Sequence, residues 1–384
     1  MTTRPGARNV PTFLHSLVTR VPATAYSQEE VGRVLGSELD PEGTGRRLSD
    51  RIYRHSGIET RHSVITGYDP GTADGLFFDR ESGRFLSPST GARNDLYVQE
   101  AKPLFVETAR AALEAAPFGP ADVTHIVTAS CTGFFAPGPD YYIQRDLGLS
   151  PAVQRYHVGF MGCYAAFPAL RMADAFCRQN PEAVVLVVCL ELCTLHLEPS
   201  EVIDNIIASA VFADGAAGVV MSARHPRNGV ALGEDGAGAA LAFEHSTTRL
   251  APDSEDDMAW RIGDRGFEMV LSTYVPRILG THIGAVVDDL LGDAERARPD
   301  IAHWWVHPGG RAILDHVEEA LALDPEALVP SREVLRRYGN MSSATILFVI
   351  REALASGTVR SGDWAYAMAF GPGLTVESAL FRGV

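Results

Sequence analysis

The sequence predicts an α/β fold made of two similar halves that share one site. Buried-strand and amphipathic-helix patterns alternate along most of the chain. Each half also ends a strand on a residue able to react, Cys163 in the first and His307 in the second. Length and composition agree with this. The chain has 384 residues, 46% apolar and 21% charged, which is core enough for two or three units of about 150 residues each. Its 36 Gly and 23 Pro are dispersed, so no linker or low-complexity tract divides it.

The elements can be justified in order. Residues 98–115 space Leu, Phe, Val and Ala as a helix does, and THIVTAS at 124–130 is a short apolar run of buried-strand type. Residues 164–179 again have helical spacing. AVVLVVCLEL at 183–192 is apolar on every position, as a strand covered on both faces must be. SAVFADGAAGVVMS at 209–222 adds a strand and a turn. After about residue 225 the texture repeats: a long helical stretch at 269–291, in which Pro276 marks a kink or a boundary, then the strand AHWWV running into a Gly-rich turn. A helix at 311–323 and strands at 365–370 and 375–382 close the chain. The expected division is 1–228 for the half with the cysteine and 229–384 for the half with the histidine. No internal sequence repeat is visible, so duplication rests on the pattern alone.

The net charge of −15 argues against nucleic-acid or anionic-membrane partners. Five cysteines, an odd number without zinc-ribbon spacing, argue against a disulfide framework or a metal site. The first residues lack the apolar run of a signal peptide, and no stretch of about 18 or more residues is continuously apolar. A reducing cytoplasm is the expected compartment, with no membrane span. One local feature runs against the acidic balance: Arg46, Arg47, Arg51, Arg54 and Arg61 lie within sixteen residues. Such a cluster is either a solvated helix face or a receiver of phosphate groups.

Three residues could carry chemistry together. Cys163, in VGFMGCYAAF, follows Gly162 at a strand-to-helix turn, where the helix N-terminus favours a thiolate and lowers the thiol pKa; buried structural cysteine is the competing reading. His307 leaves the strand HWWV just before Pro308, Gly309 and Gly310. Its i, i+4 spacing to His303 would suit a metal only on a helix, and this segment is a strand. Asn340, in YGNMSSA, precedes an apolar helix, where its amide can donate to a developing oxyanion or simply cap the helix. A nucleophile, an imidazole and an amide donor, each at an element end, make one constellation for thioester chemistry.

GFMGCYAAF, HPGGRAILDHVEEALAL, REVLRRYGNMSSA and FGPGLTVESAL, in this order, closely resemble the type III polyketide synthases, the chalcone-synthase-like branch of the thiolase superfamily. Weaker matches such as ASCTGFFAPGPDYYIQRDLGL extend the resemblance over most of residues 50–384. The resemblance implies a thiolase-like, five-layered αβαβα fold and a homodimer. It also implies acyl-CoA starter and malonyl-CoA extender as free substrates, with no carrier protein and no cofactor. In that scheme Cys163 carries the acyl chain, while His307 and Asn340 hold the thioester carbonyl as malonyl-CoA loses CO₂. Phe212 matches the aromatic gate beside the cysteine. Arg51, Arg54 and His55 match the region that meets the CoA phosphates, with His55 where the family more often has Lys. Gly371, Pro372 and Gly373 form the loop beside the site.

The departures bear on product. Met269 replaces an aromatic second gate, and Trp260 stands where chalcone synthases have Gly. Cys131, Thr132, Cys193 and His196 line the elongation cavity, with Ser342, where plant enzymes favour Thr and Ser. Ala136 replaces a Met that in the family reaches the neighbouring subunit's cavity, and Ala369 replaces the first Gly of GFGPG. Together they favour a medium- or long-chain acyl starter, two or three extensions, and an alkylresorcinol or alkylpyrone product. The alternatives are a malonyl-only or aromatic starter. An initiating ketoacyl-carrier-protein synthase on the same fold disagrees with HPGG and GNMSS.

Overall fold

The computed structural model describes residues 11–39, 43–67, 75–79, 81–251, 254, 258–271 and 275–384. In chain order the first half contains β1 (Thr12–Arg20), β2 (Ala25–Ser27), α1 (Gln28–Ser37), α2 (Thr44–His55), β3 (Thr60–His62), α3 (Thr90–Ala115) and β4 (His125–Ser130). It continues with α4 (Pro139–Asp146), β5 (Gln154–Gly159), α5 (Ala166–Gln179), β6 (Val184–Leu192), α6 (Ile203–Val211) and β7 (Asp214–Ser222). The second half follows. It contains β8 (Val230–Ala231), β9 (Ala237–Gly238), β10 (Leu241–Leu250), β11 (Met258–Gly263), β12 (Gly266–Leu271) and α7 (Val275–Asp293). Last come β13 (Ile301–Val306), α8 (Arg311–Leu321), α9 (Val329–Tyr338), α10 (Thr345–Ala355), β14 (Trp364–Gly371) and β15 (Thr375–Gly383).

The main strands run in the order β13-β14-β15-β10-β1-β7-β6-β4-β5. The two halves join where β10 pairs with β1 through three residues, Thr12 with Phe243 to Leu14 with Leu241. Helices sort by the strands they touch. α3 lies on β1, β6 and β7, whereas α5 touches β4, β6 and β7 of the first half and also β10 and β15 of the second. α10 likewise touches β1 and β7 as well as β13 and β14. These two are therefore a middle layer between the sheets, and α7 and α8 cover the far side. This is the thiolase-like αβαβα arrangement.

Strand periodicity shows why the apolar runs are continuous. On β6, Val185, Val187 and Cys189 face the middle layer, while Val184, Leu186, Val188 and Leu190 face α3. On β13 and β14, Trp305, Ala365 and Ala367 face the middle, whereas Trp304, Tyr366 and Met368 pack towards α7 and α8. With a helix layer on both sides, neither face can be polar.

Three sequence expectations shift. The helix expected at 98–115 begins at Thr90, where the Ser89 hydroxyl accepts from the Ala92 N–H at 3.3 Å. Residues 209–211 finish α6 instead of starting a strand. The long stretch at 269–291 divides into the end of β12 and α7; Pro276 falls in the first turn of α7, where its missing N–H leaves nothing unpaired. It marks a start, not a kink. Among the described residues no helix is long and apolar enough to cross a membrane.

Candidate active site

The site lies where the two middle helices begin. Each is preceded by one 3-10 turn, Gly162–Tyr164 before α5 and Ser342–Ala344 before α10, and the two turns touch. Cys163 stands on the first. Its turn requires glycine at 162 for two reasons: φ is +78°, and a Cβ there would lie 2.5 Å from Cδ of Pro372. Gly371 allows the same close approach from the other side, since its Cβ would meet the Tyr164 ring at 2.5 Å. The Gly371–Pro372–Gly373 loop is thus pressed against the cysteine turn.

Asn340 is held at both backbone and side chain. Its N–H donates to Val211 O at 2.8 Å, and its carbonyl accepts from the Ala213 N–H at 2.8 Å, flanking Phe212. Its Oδ1 accepts from the Ser342 N–H at 2.8 Å and the Thr345 hydroxyl at 3.4 Å. With Oδ1 committed, the amide must turn its NH₂ towards the cavity. There Nδ2 lies 4.0 Å from Cys163 Sγ and donates to Gly309 O at 3.4 Å. Ser342 adopts φ 46°, a left-handed conformation of a kind that collects at functional sites, and its hydroxyl is 3.5 Å from Cys131 Sγ.

His307 follows β13, its N–H donating to Met368 O at 2.9 Å. It is 1% exposed, and neither ring nitrogen has a hydrogen-bond partner among the described residues. Two such unpaired atoms are costly unless something in the cavity uses them. Burial pulls this imidazole down to about 3 and pushes the Cys163 thiol up to about 11. The helix terminus was expected to lower the thiol pKa; desolvation in an apolar cavity outweighs it. Burial thus favours the neutral thiol and the neutral imidazole over their charged forms.

Cys163, His307 and Asn340 all border one cavity of about 390 Å³. Its walls also include Cys131, Thr132, Cys193, Phe212, Trp260, Met269, Ser342 and Pro372. Trp260 and Met269 are directly opposite on the β11–β12 ribbon. The Trp260 indole donates to Cys131 O at 2.8 Å, which fixes the ring across the chamber. His196 borders a second, smaller pocket behind this wall. Its Nε2 is 2.8 Å from Thr132 O, its Nδ1 accepts from the Phe267 N–H at 3.0 Å, and its ring stacks on Phe267 at 4.1 Å. It therefore binds segments together, with no nitrogen left for substrate. Ala136 is exposed and borders none of this chain's cavity.

At the mouth, His55 from α2 and Arg311 from the start of α8 border the cavity, while Arg51 and Arg54 are exposed on the same helix as His55. Arg311 was not singled out from sequence, although a basic residue opening a helix after Gly-Gly is a visible anion-site signal. Glu191 was also missed. Fully buried, with its pKa raised by burial, it accepts from the Cys131 N–H at 2.8 Å, the Thr132 hydroxyl at 2.9 Å and the Ser343 hydroxyl at 2.5 Å. A single carboxylate in the apolar run AVVLVVCLEL was the available signal.

The comparisons with known proteins agree with this geometry. Family models described as the N-terminal and C-terminal domains of chalcone and stilbene synthases match residues 14–225 and 242–384. The alpha-pyrone synthesis polyketide synthase-like Pks18 of Mycobacterium tuberculosis is 32% identical over 373 residues, 96% of this chain and 90% of its own length. Among solved structures, PKS-I of the brown alga Ectocarpus siliculosus superposes with a TM-score of 0.85 at 29% identity, covering 97% of this chain and 98% of that one. The 1,3,6,8-tetrahydroxynaphthalene synthase of Streptomyces coelicolor gives 0.84 at 27% identity, covering 97% and 99%. The chain belongs to the chalcone and stilbene synthase family: it is a type III polyketide synthase, an acyltransferase-type condensing enzyme.

Proposed function

We propose that the chain loads a medium- or long-chain acyl group from an acyl-CoA onto Cys163. It then extends that group two or three times with malonyl-CoA and releases an alkylpyrone or alkylresorcinol. In loading, the thiol attacks the starter thioester, the S–acyl bond forms as the CoA–sulfur bond breaks, and His307 relays the thiol proton to the leaving CoA sulfur. Malonyl-CoA then loses CO₂, and the negative charge gathers on the thioester oxygen between His307 and the Asn340 NH₂. The enolate carbon attacks acyl-Cys163, and the Cys163 thiolate leaves. No cofactor and no carrier protein enters these steps.

One observation carries this reading: the Asn340 amide is oriented by its own backbone surroundings so that its donor faces Cys163, in a cavity where His307 is also unpaired. Phe212, 6% exposed, and the apolar walls disfavour water and so protect the thioester. The non-aromatic gate residue Met269 supports a flexible chain, and the name of the 32%-identical relative supports a pyrone. In this reading Arg51, Arg54, His55 and Arg311 meet the CoA phosphates. A cytoplasmic homodimer completes the reading, with Ala136 at the partner's cavity; a stable monomer in sedimentation at micromolar concentration would contradict that part.

A second reading takes malonyl-CoA as the sole substrate; it is favoured by the similarity to a synthase named for tetrahydroxynaphthalene, a product without an alkyl chain. Mass spectrometry of products from malonyl-CoA with acyl-CoAs of graded length, beside Cys163→Ala, separates the two. The expected outcome is a ladder of tri- and tetraketides that tracks starter length and vanishes in the variant. Turnover with malonyl-CoA alone, or only with aromatic starters, would overturn the alkyl assignment.

A further inference from the structure

Arg61 lies on the short strand β3, outside the cavity wall, and is 1% exposed. Its Nη1 donates to two carbonyls, Ser209 O at 2.6 Å and Phe212 O at 2.9 Å. These belong to the last turn of α6 and to the gate residue beyond it, where the helix dipole presents its negative end. Its stem packs just behind Asn340: a Cβ on Gly339 would lie 3.2 Å from Arg61 Cγ and 3.0 Å from Val211 O. Gly339 also has φ +72°, so the approach needs glycine twice over. On the other side the guanidinium sits 5.6 Å from the centre of the Tyr53 ring of α2.

The segment so clamped is the one that carries the chemistry. Val211 O receives the Asn340 N–H, and Asn340 O receives the Ala213 N–H, so residues 211–213 and Asn340 move as one piece. Arg61 holds that piece by the carbonyls on either side of Val211. A guanidinium is an expensive filler for a dry space, the more so because Nε and Nη2 have no hydrogen-bond partner among the described residues. An aliphatic side chain would pack there without leaving donors unpaired, but it could not hold the two carbonyls.

We propose that Arg61 is a positioning residue, fixing Phe212 and Asn340 relative to Cys163 without touching substrate. This rests on the reading of Asn340 as the enolate donor and Phe212 as the gate. It predicts that Arg61 matters for condensation and not for acyl loading, since loading needs only the Cys163 turn and His307, which Arg61 does not contact.

The test compares Arg61→Met, which keeps stem packing but removes the donor, with Arg61→Lys, which keeps one cationic donor. Intact-protein mass after acyl-CoA alone gives the acylated fraction; acetyl-CoA and polyketide are then measured per acylated site during turnover of malonyl-CoA. Arg61→Met is expected to load fully, to condense on the order of 100-fold more slowly, and to release more acetyl-CoA for each polyketide formed. Its KM for malonyl-CoA should change little, and Arg61→Lys should recover part of the rate. Wild-type rate and partition per acylated site in Arg61→Met would overturn the inference. Should Arg61→Met not fold, the acetyl-CoA-to-polyketide ratio of Arg61→Lys decides: raised supports the role, and unchanged overturns it. Failure of the wild type itself to acylate at Cys163 would instead overturn the functional reading beneath it.

Discussion

At the residue scale the site depends on two groups kept neutral by burial. A thiol raised to about 11 exists at pH 7 almost wholly protonated, and an imidazole lowered to about 3 is a free base there. The thiolate fraction of the unliganded enzyme therefore grows about tenfold for each pH unit from neutral upwards. Alkylation of Cys163 by iodoacetamide, followed from pH 6 to 10 by peptide mass, should rise throughout that range without levelling. A plateau beginning near pH 6 would show a preformed thiolate–imidazolium pair and contradict the burial argument. Asn340 differs in kind: its role depends on direction, and Ser342 N–H and Thr345 supply that direction.

At the level of elements, the β11–β12 ribbon forms one wall of the chamber and is braced by one indole. Trp260 faces Met269 across the ribbon and is tied to Cys131 O. Its ring also meets Phe267 at 5.8 Å and Phe212 at 6.4 Å. Trp260→Gly removes that brace and joins the reaction chamber to the pocket behind it, which the same residues border. Products should shift to longer starters or further extensions, at a stability cost of up to about 3–5 kcal/mol. Product mass profiles and a thermal melt measure both. An unchanged chain-length profile in a folded variant would show that Trp260 does not bound the chain.

What was legible in the sequence at this scale follows from periodicity. β6 and β13 were visible because both faces are covered, and α5 because its apolar stripe is regular. The ends were less visible. The β12–α7 boundary was hidden because MVLSTYVPRILG is apolar through both elements, and α6 was hidden because ASAV suits either a strand or a last helical turn. Cys163, His307 and Asn340 could be picked out since each sits at an element end, Cys163 and Asn340 directly after Gly and His307 before Pro-Gly-Gly. Glu191 and Arg61 were harder to pick out, because their partners lie 59 to 152 residues away for Glu191 and 148 to 151 away for Arg61. Only the fold brings them together. The thiol pKa was misjudged for a related reason: local sequence shows the helix terminus but not the depth of burial.

For the whole molecule, the layered fold explains why Cys163, His307 and Asn340 meet in one cavity. The two middle helices start at the same place, one bringing the thiol and the other the amide, and the sheet of the second half delivers the imidazole to the same cavity. That cavity also holds two more thiols, Cys131 and Cys193, both pushed well above the ordinary cysteine range by burial. In the proposed reaction Cys163 alone among the three carries the acyl chain. The direct measurement is incubation with an acyl-CoA in the absence of malonyl-CoA, followed by rapid quenching, digestion and location of the acyl group by mass spectrometry. A thioester on the peptide containing Cys163, and on neither of the others, is the predicted result. An acyl group on Cys131 or Cys193 with Cys163 unmodified would contradict it.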